Sequence, residues 1–213
     1  MQIYTGTCKG SKSELEAIAS HGLGMCVSSE CEKSYKGFPI FIDNGAYEAF
    51  RRGMPWSEAR FYKLLDRCWD CGIICDFIVC PDIMCAGLKS LEHSMKWVSK
   101  LQPAKIALAV QDGMQPNNVD QYGTEGFSHI FIGGSVEWKW ANAKMWVDYA
   151  HGKGLKCHIG KCGKLEYLKY AEKIGADSVD STTWVRNDNW TIVEQFNNKS
   201  QTNLLDLNQK SKP

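Results

Sequence analysis

Eight short runs of apolar and β-branched residues recur along the chain: QIYTGT, GMCVSS, PIFIDN, DFIVCPD, KIALAVQ, HIFIGGS, LKCHIGK and DSVDST. Runs this short and this apolar predict strands covered on both faces. Between most of them lie stretches with helical spacing, at 13–21, 56–71, 88–101, 141–151 and 164–174. Gly or Pro punctuates the returns to strand, as in HGLG, QP, EG, GKG and IGAD. A buried strand, a helix ending in Gly and another buried strand is the rhythm of a parallel sheet. Eight such units predict an α/β protein, a (β/α)8 TIM barrel in one domain over 1–196. The 213 residues give about 27 per unit, lean beside the usual ~250-residue barrel. An open doubly wound sheet is the alternative. The polar stretch 197–213 reads as a flexible tail.

Composition narrows the surroundings. With 44% hydrophobic and 23% charged residues the chain can build a sizeable core. A net charge of +1 means that any nucleic-acid surface must be a local basic patch. There is no basic segment followed by an apolar leader, and no apolar run near the ~18 residues of a spanning helix. The expectation is a cytoplasmic protein without a membrane partner, whose ten cysteines stay as thiols in a reducing compartment.

The stretch IFIDNGAYEAF, 40–50, poses the first functional question. Asn-Gly between apolar runs is a strong hairpin signal, yet Asp43 precedes it and a helical pattern follows. A strand end presenting an acid fits better. The same feature recurs: Asp82 ends FIVCPD, Gln111 ends LAVQ, Gly133 and Gly134 end IFIGGS, and Asp180 ends DSVD. In a parallel barrel these ends share the rim where active sites are built. Asp177 reads as a cap or turn residue, which leaves Asp180 as the inward acid. Singly, each is an ordinary turn or cap residue. Together, two carboxylates facing one pocket suit attack on an anomeric carbon, one acting as nucleophile and the other moving protons.

These residues carry a resemblance. DNGAY at Asp43–Tyr47, CPD at Asp82, AVQDG at Gln111, IGGS at Gly133–Gly134 and HIGKCGKLEYLKYAEKIGADSVDSTTWVR at His158–Arg186 follow one another in the order of the tRNA-guanine transglycosylase motifs. The family's C-terminal zinc site, a Cys-x-Cys-x-x-Cys cluster and a His, has no counterpart after Asp180. The chain therefore resembles most the compact deazapurine DNA-modification branch of phages and bacteria, and a phage-encoded protein would work in the host cytoplasm. That resemblance implies a DNA-guanine transglycosylase that exchanges guanine for a 7-deazaguanine of the preQ0 type. The free base is a co-substrate, no other cofactor is needed, and DNA is favoured over tRNA as the polymer. Asp180 would be the nucleophile and Asp43 the acid/base. Asp82 would read the guanine N1–H and N2–H₂ donors, Gln111, Gly133 and Gly134 the remaining edge, and Tyr47 and Ile159 the two faces.

The nucleic-acid grip is expected from Arg51, Arg52, Lys139, Lys161, Lys164, Trp184 and Arg186, with Trp138 and Trp140 beside them, since basic groups meet phosphate and aromatics stack on bases. Cys68, Cys71 and Cys75, and Cys157, His158 and Cys162, have ligand-like spacing. A single C-x₂-C pair at a helix end reads as buried thiols rather than zinc ligands, so no metal is expected, and His158 reads as a core or pocket-wall residue. The same chemistry on tRNA, a catalytically silent nucleic-acid-binding subunit and a base-removing hydrolase are the alternatives. A homodimer and accessory modification proteins stay open.

Overall fold

The computed structural model describes residues 1–6 and 10–198. Eight parallel strands close into a barrel in sequence order: β1 Gln2–Gly6, β2 Gly24–Val27, β3 Ile40–Ile42, β4 Phe77–Val79, β5 Ile106–Val110, β6 Phe127–Ile132, β7 Lys156–Ile159 and β8 Ser178–Asp180. Each apolar run contributes one strand, and β1 closes on β8 with Tyr4 opposite Asp180. The closed (β/α)8 barrel replaces the open-sheet alternative. Around it lie α1 Lys12–Ser20, α2 Ala46–Arg51, α3 Glu58–Asp70, α4 Leu88–Met95, α5 Val98–Leu101, α6 Pro116–Asp120, α7 Val136–Gly152, α8 Leu165–Lys173 and α9 Thr183–Arg186. Among the described residues no helix is long and apolar enough to cross a membrane.

Two helices depart from the sequence pattern. The single helix expected over 88–101 is broken between α4 and α5. There the Ser94 carbonyl accepts the Trp97 N–H at 2.9 Å and the Cys80 thiol at 3.2 Å, which tightens the turn and ends the regular ladder. Helix α7 begins earlier than 141 because Ser135 caps it, its hydroxyl accepting the Trp138 N–H. Residues 197 and 198 continue a helix over 191–198, so the tail expected from 197 does not begin there. The rest of it, 199–213, lies outside the described residues.

The strands alternate between two apolar layers. Tyr4, Phe41, Phe77, Val79, Ala107 and Ala109 fill the barrel interior, with Cys26 and Phe131 packed on them. Their sequence neighbours Ile3, Ile40, Ile42, Ile78, Leu108 and Val110 pack outward against the helices. The interior is a plug of rings: Phe41 and Phe77 stack at 4.9 Å, and Tyr4 meets Phe41 edge-on at 5.0 Å. Gly24 makes room for this plug. A Cβ there would lie 2.5 Å from Tyr4 Cδ1 and 2.7 Å from the Pro39 carbonyl oxygen. Gly24→Ala is therefore expected to destabilise the barrel by about 2–3 kcal/mol, read as a lower urea midpoint with an unchanged slope.

Candidate active site

The stretch 40–50 is no hairpin. Strand β3 ends at Ile42, Asp43 follows, and Gly45 takes the left-handed conformation at φ +74° as it caps α2. The Asp43 carboxylate accepts the Gly45 N–H at 2.6 Å and the Asn44 side-chain oxygen accepts the Ala46 N–H at 2.7 Å. This double side-chain turn stands in for the missing start of the helix ladder. Because Phe41 points into the barrel, Asp43, two residues on, lies on the same face at its mouth. Asp180 ends β8, and the Lys161 N–H from the β7–α8 loop reaches it at 3.3 Å.

The acids act on one another electrostatically. Burial first, then the Asp180 and Asp82 charges, raise the Asp43 carboxyl from 3.8 to about 6, against the lowering effects of the Gly45 N–H and Lys161. The half-buried Cys26 thiol on β2 is pushed well above its ordinary value by burial and by both Asp43 and Asp180. Asp82 is raised by burial, while the Asn44 amide works the other way. Strands β3, β4 and β8 thus bring three carboxyl groups to one end of the barrel.

Asp82 is held rather than loose. The Asn44 amide donates to its Oδ1 at 2.8 Å and to the Cys80 carbonyl at 2.8 Å. Gln111, 3% exposed, donates to the Ser90 hydroxyl at 2.8 Å and the Ile83 carbonyl at 2.9 Å, with Asp82 Oδ2 at 3.5 Å. Beside Asp82 opens a cleft of about 220 Å³ lined by Ala49, Phe50, Met54, Trp56, Met84 and His93. The Gly133–Gly134 turn follows β6, and Gly134 at φ +76° lets Asp112 approach closely enough to bind the Ser135 N–H at 2.7 Å and its hydroxyl at 2.6 Å.

On β7 the inward residue at the mouth is His158, and Gly160, just past the strand end, continues the same face. His158 is fully buried, stacked on Phe131 at 4.8 Å, and its Nε2 lies 3.0 Å from Asp180 Oδ1. At Gly160 a Cβ would stand 3.4 Å from the same oxygen. Ile159 lies between them on the opposite face, in the layer under the helices and 0% exposed. The expectation that Ile159 closes one face of a base is corrected here: strand alternation turns it away from the mouth. Tyr47, 41% exposed on α2, stands at the rim with Lys161 Nζ over its ring.

Two of the expected nucleic-acid contacts are also corrected. Lys139 is 2% exposed, and its ammonium donates to the Gly160 carbonyl from the inner face of α7. Trp184 is 0% exposed within the outer core layer. Neither reaches solvent, so neither can touch phosphate or stack on a base. Arg51, Arg52, Lys161, Lys164 and Arg186 are exposed. Arg51 and Arg52 share Glu48, whose carboxyl they hold down to about 2, so their net charge is less than two. Trp138 and Trp140 are half-buried, Trp140 stacked on Tyr167 at 4.3 Å.

The described cysteines do not form a ligand sphere. Cys157 packs outward and His158 inward on β7, and the Cys162 thiol donates to the Ile159 carbonyl at 3.3 Å. Cys68 and Cys71 are buried next to Cys31, whose carbonyl is 3.7 Å from Cys71 Sγ. Among the described residues no group of three or more His, Cys, Asp or Glu could hold a metal ion.

Sequence reasoning missed Asn44, which fastens Asp82, and the His158–Asp180 bond. Both were within reach of the pattern: Asn44 sits inside the DNG turn, and His158 shares the inward parity of Gly160, which follows β7.

The fold and the site define a (β/α)8 barrel with a carboxylate cluster at the C-terminal mouth of its strands. No family model and no curated protein matches the chain. Among solved structures, 210 chains match its fold, a breadth that fits an architecture shared by many activities. One is a monomeric dihydrodipicolinate synthase variant, with a TM-score of 0.61 and 12% identity over 98% of this chain and 77% of that one. At that identity the likeness is one of fold.

Proposed function

We propose that the protein is a base-exchanging glycosyltransferase that replaces guanine in DNA with a 7-deazaguanine of the preQ0 type. The observation that carries this reading is the meeting of Asp43, Asp82 and Asp180 at one barrel mouth, with Asp43 raised to about 6 by burial and then by its two acidic neighbours. Barrels of this architecture carry their chemistry at that mouth, and the order of the motifs along the chain favours N-glycosidic exchange over other uses of paired acids.

The reaction runs in two displacements. The C1′–Oδ2 bond to Asp180 forms as the C1′–N9 bond breaks. The bonding electrons leave with guanine, and the Asp43 proton goes to the departing ring. The incoming base then attacks C1′ through N9, the ester bond breaks, and Asp43 takes the N9 proton. A group near 6 can serve as acid in the first half and base in the second. Among the described residues no hydrogen bond engages Asp180 Oδ2, whereas Oδ1 is engaged by His158 and Lys161. Asp82 accepts from the N1–H and N2–H₂ edge of the base. A guanine in a duplex must leave the stack for its C1′ to be reached.

Mass spectrometry of nucleosides from DNA, and in parallel from tRNA, incubated with the protein and preQ0 tests the proposal. A 7-deazaguanosine product in DNA supports it, product in tRNA alone moves the activity to RNA, and release of guanine without insertion marks a hydrolase. Asp82→Asn replaces one acceptor oxygen by a donor, so the KM for the free base is expected to rise about 10–100-fold, with a smaller change in kcat. Steady-state kinetics in the free base checks this.

A further inference from the structure

We infer that His158 is the positioning residue of the nucleophile, its Nε2–H holding Asp180 Oδ1 through both displacements. The kinetic part rests on the base-exchange reading, while the bond itself does not.

The ring has one way to lie. It is fully buried inside the barrel, stacked on Phe131 at 4.8 Å and 20°, with Phe41 at 4.9 Å and Phe77 at 5.5 Å. Its two nitrogens meet two side chains of one strand: Nε2 is 3.0 Å from Asp180 Oδ1 and Nδ1 is 2.8 Å from Ser178 Oγ. Ser178 and Asp180 stand two residues apart on β8 and so face the same way. His158 is the register partner of Ser178 across the β7–β8 pair. An ionised carboxylate only accepts, so Nε2 carries a proton toward Asp180, and in the neutral ring Nδ1 then accepts from the Ser178 hydroxyl. The Lys161 N–H supports the same oxygen at 3.3 Å. The carboxylate is thereby fixed in rotation, and among the described residues Oδ2 is the oxygen left for C1′.

The bond keeps its use after attack. Once Oδ2 is the ester oxygen, Oδ1 is its carbonyl, and the Nε2–H draws electron density toward Oδ1. When the incoming base attacks C1′, the C1′–Oδ2 electron pair returns to a carboxylate that is already hydrogen-bonded. No proton passes through His158.

Two measurements test this. Nitrogen-15 NMR of the histidine side chains in the free protein is expected to show His158 protonated at Nε2 only, with a water-protected N–H resonance that Asp180→Ala moves or abolishes. Protonation at Nδ1 alone, or a resonance indifferent to Asp180→Ala, overturns the inference without reference to any substrate. In exchange assays, His158→Gln keeps a donor near the Nε2 position and is expected to stay within tenfold of the native kcat. His158→Leu keeps the volume without a donor and is expected to lose about 10²-fold in kcat, with the KM for the free base within threefold. Equal losses in both variants, or a loss confined to KM, overturn it. If His158→Leu fails to fold, Ser178→Ala provides the same reading through a three- to tenfold lower kcat at an unchanged melting temperature, and an unaltered kcat there overturns the inference. A native protein that exchanges no base on any polymer, or an active Asp180→Asn, counts against the functional reading instead, and the NMR result stands apart from both.

Discussion

Asp180→Asn is expected to abolish base exchange, with a loss of about 10⁴-fold or more, and to eliminate any covalent protein–nucleic acid adduct. The neutral amide is too weak a nucleophile to attack C1′. The substitution is otherwise mild. The amide oxygen can still accept from the His158 Nε2 and Lys161 N–H groups that now engage Oδ1, so the barrel should keep its melting temperature. That pairing of a lost activity with an intact fold separates a nucleophile from a structural acid. The adduct is sought as a denaturant-resistant, slowly migrating species on a gel after quenching native enzyme with oligonucleotide and no free base. A fully active Asp180→Asn, or an adduct that survives the substitution, removes Asp180 from the chemistry.

Asp43→Asn should move activity and stability in opposite directions. The native carboxyl titrates near 6 instead of 3.8, because burial and the neighbouring acids disfavour its charge. The folded protein therefore holds this proton to higher pH than the unfolded chain does. As pH rises from about 4 through 6, folding must increasingly bear a charge that the unfolded state carries easily, and native stability falls relative to the variant. Above 6 the full cost is present, about 3 kcal/mol, and below 4 it vanishes. Urea midpoints at pH 4, 6 and 8 should show Asp43→Asn level with the native protein at the first and more stable at the last. Asparagine keeps the oxygen that accepts the Gly45 N–H, so the turn survives. Exchange should fall by about 10²–10⁴-fold for want of an acid and base. In the native protein the first displacement should slow as pH rises above about 6, where Asp43 loses its proton. A variant no more stable at pH 8 than at pH 4, relative to native, would show that the charge is not under strain.

The architecture was legible because each strand of a doubly covered barrel must be apolar on both faces, so eight strands left eight visible runs. The acids were legible for a related reason. Asp43, Asp82 and Asp180 interrupt apolar runs where a parallel barrel opens. What stayed hidden is which way a residue turns after the strand ends. Ile159 and His158 differ by one position, and alternation puts Ile159 under the helices while His158 takes the interior place expected of it. Lys139 looks like a rim cation in sequence, yet the 3.6-residue period of α7 carries it inward to the Gly160 carbonyl. Trp184 follows Asp180 by four residues and is the buried residue of α9, turned into the core. Asn44 was read as turn chemistry, and only its distance to Asp82, 2.8 Å, reveals a second use.

The ring plug inside the barrel has a consequence for traffic. Tyr4, Phe41 and Phe77 close the barrel interior beneath the three acids, so a molecule held at those acids meets them from the open mouth above. Under the proposed exchange, a departing purine and an arriving one would share that mouth. The polymer, anchored through its sugar, would then have to wait in place while the site empties and refills. The covalent link to Asp180 is what would keep it there during that vacancy.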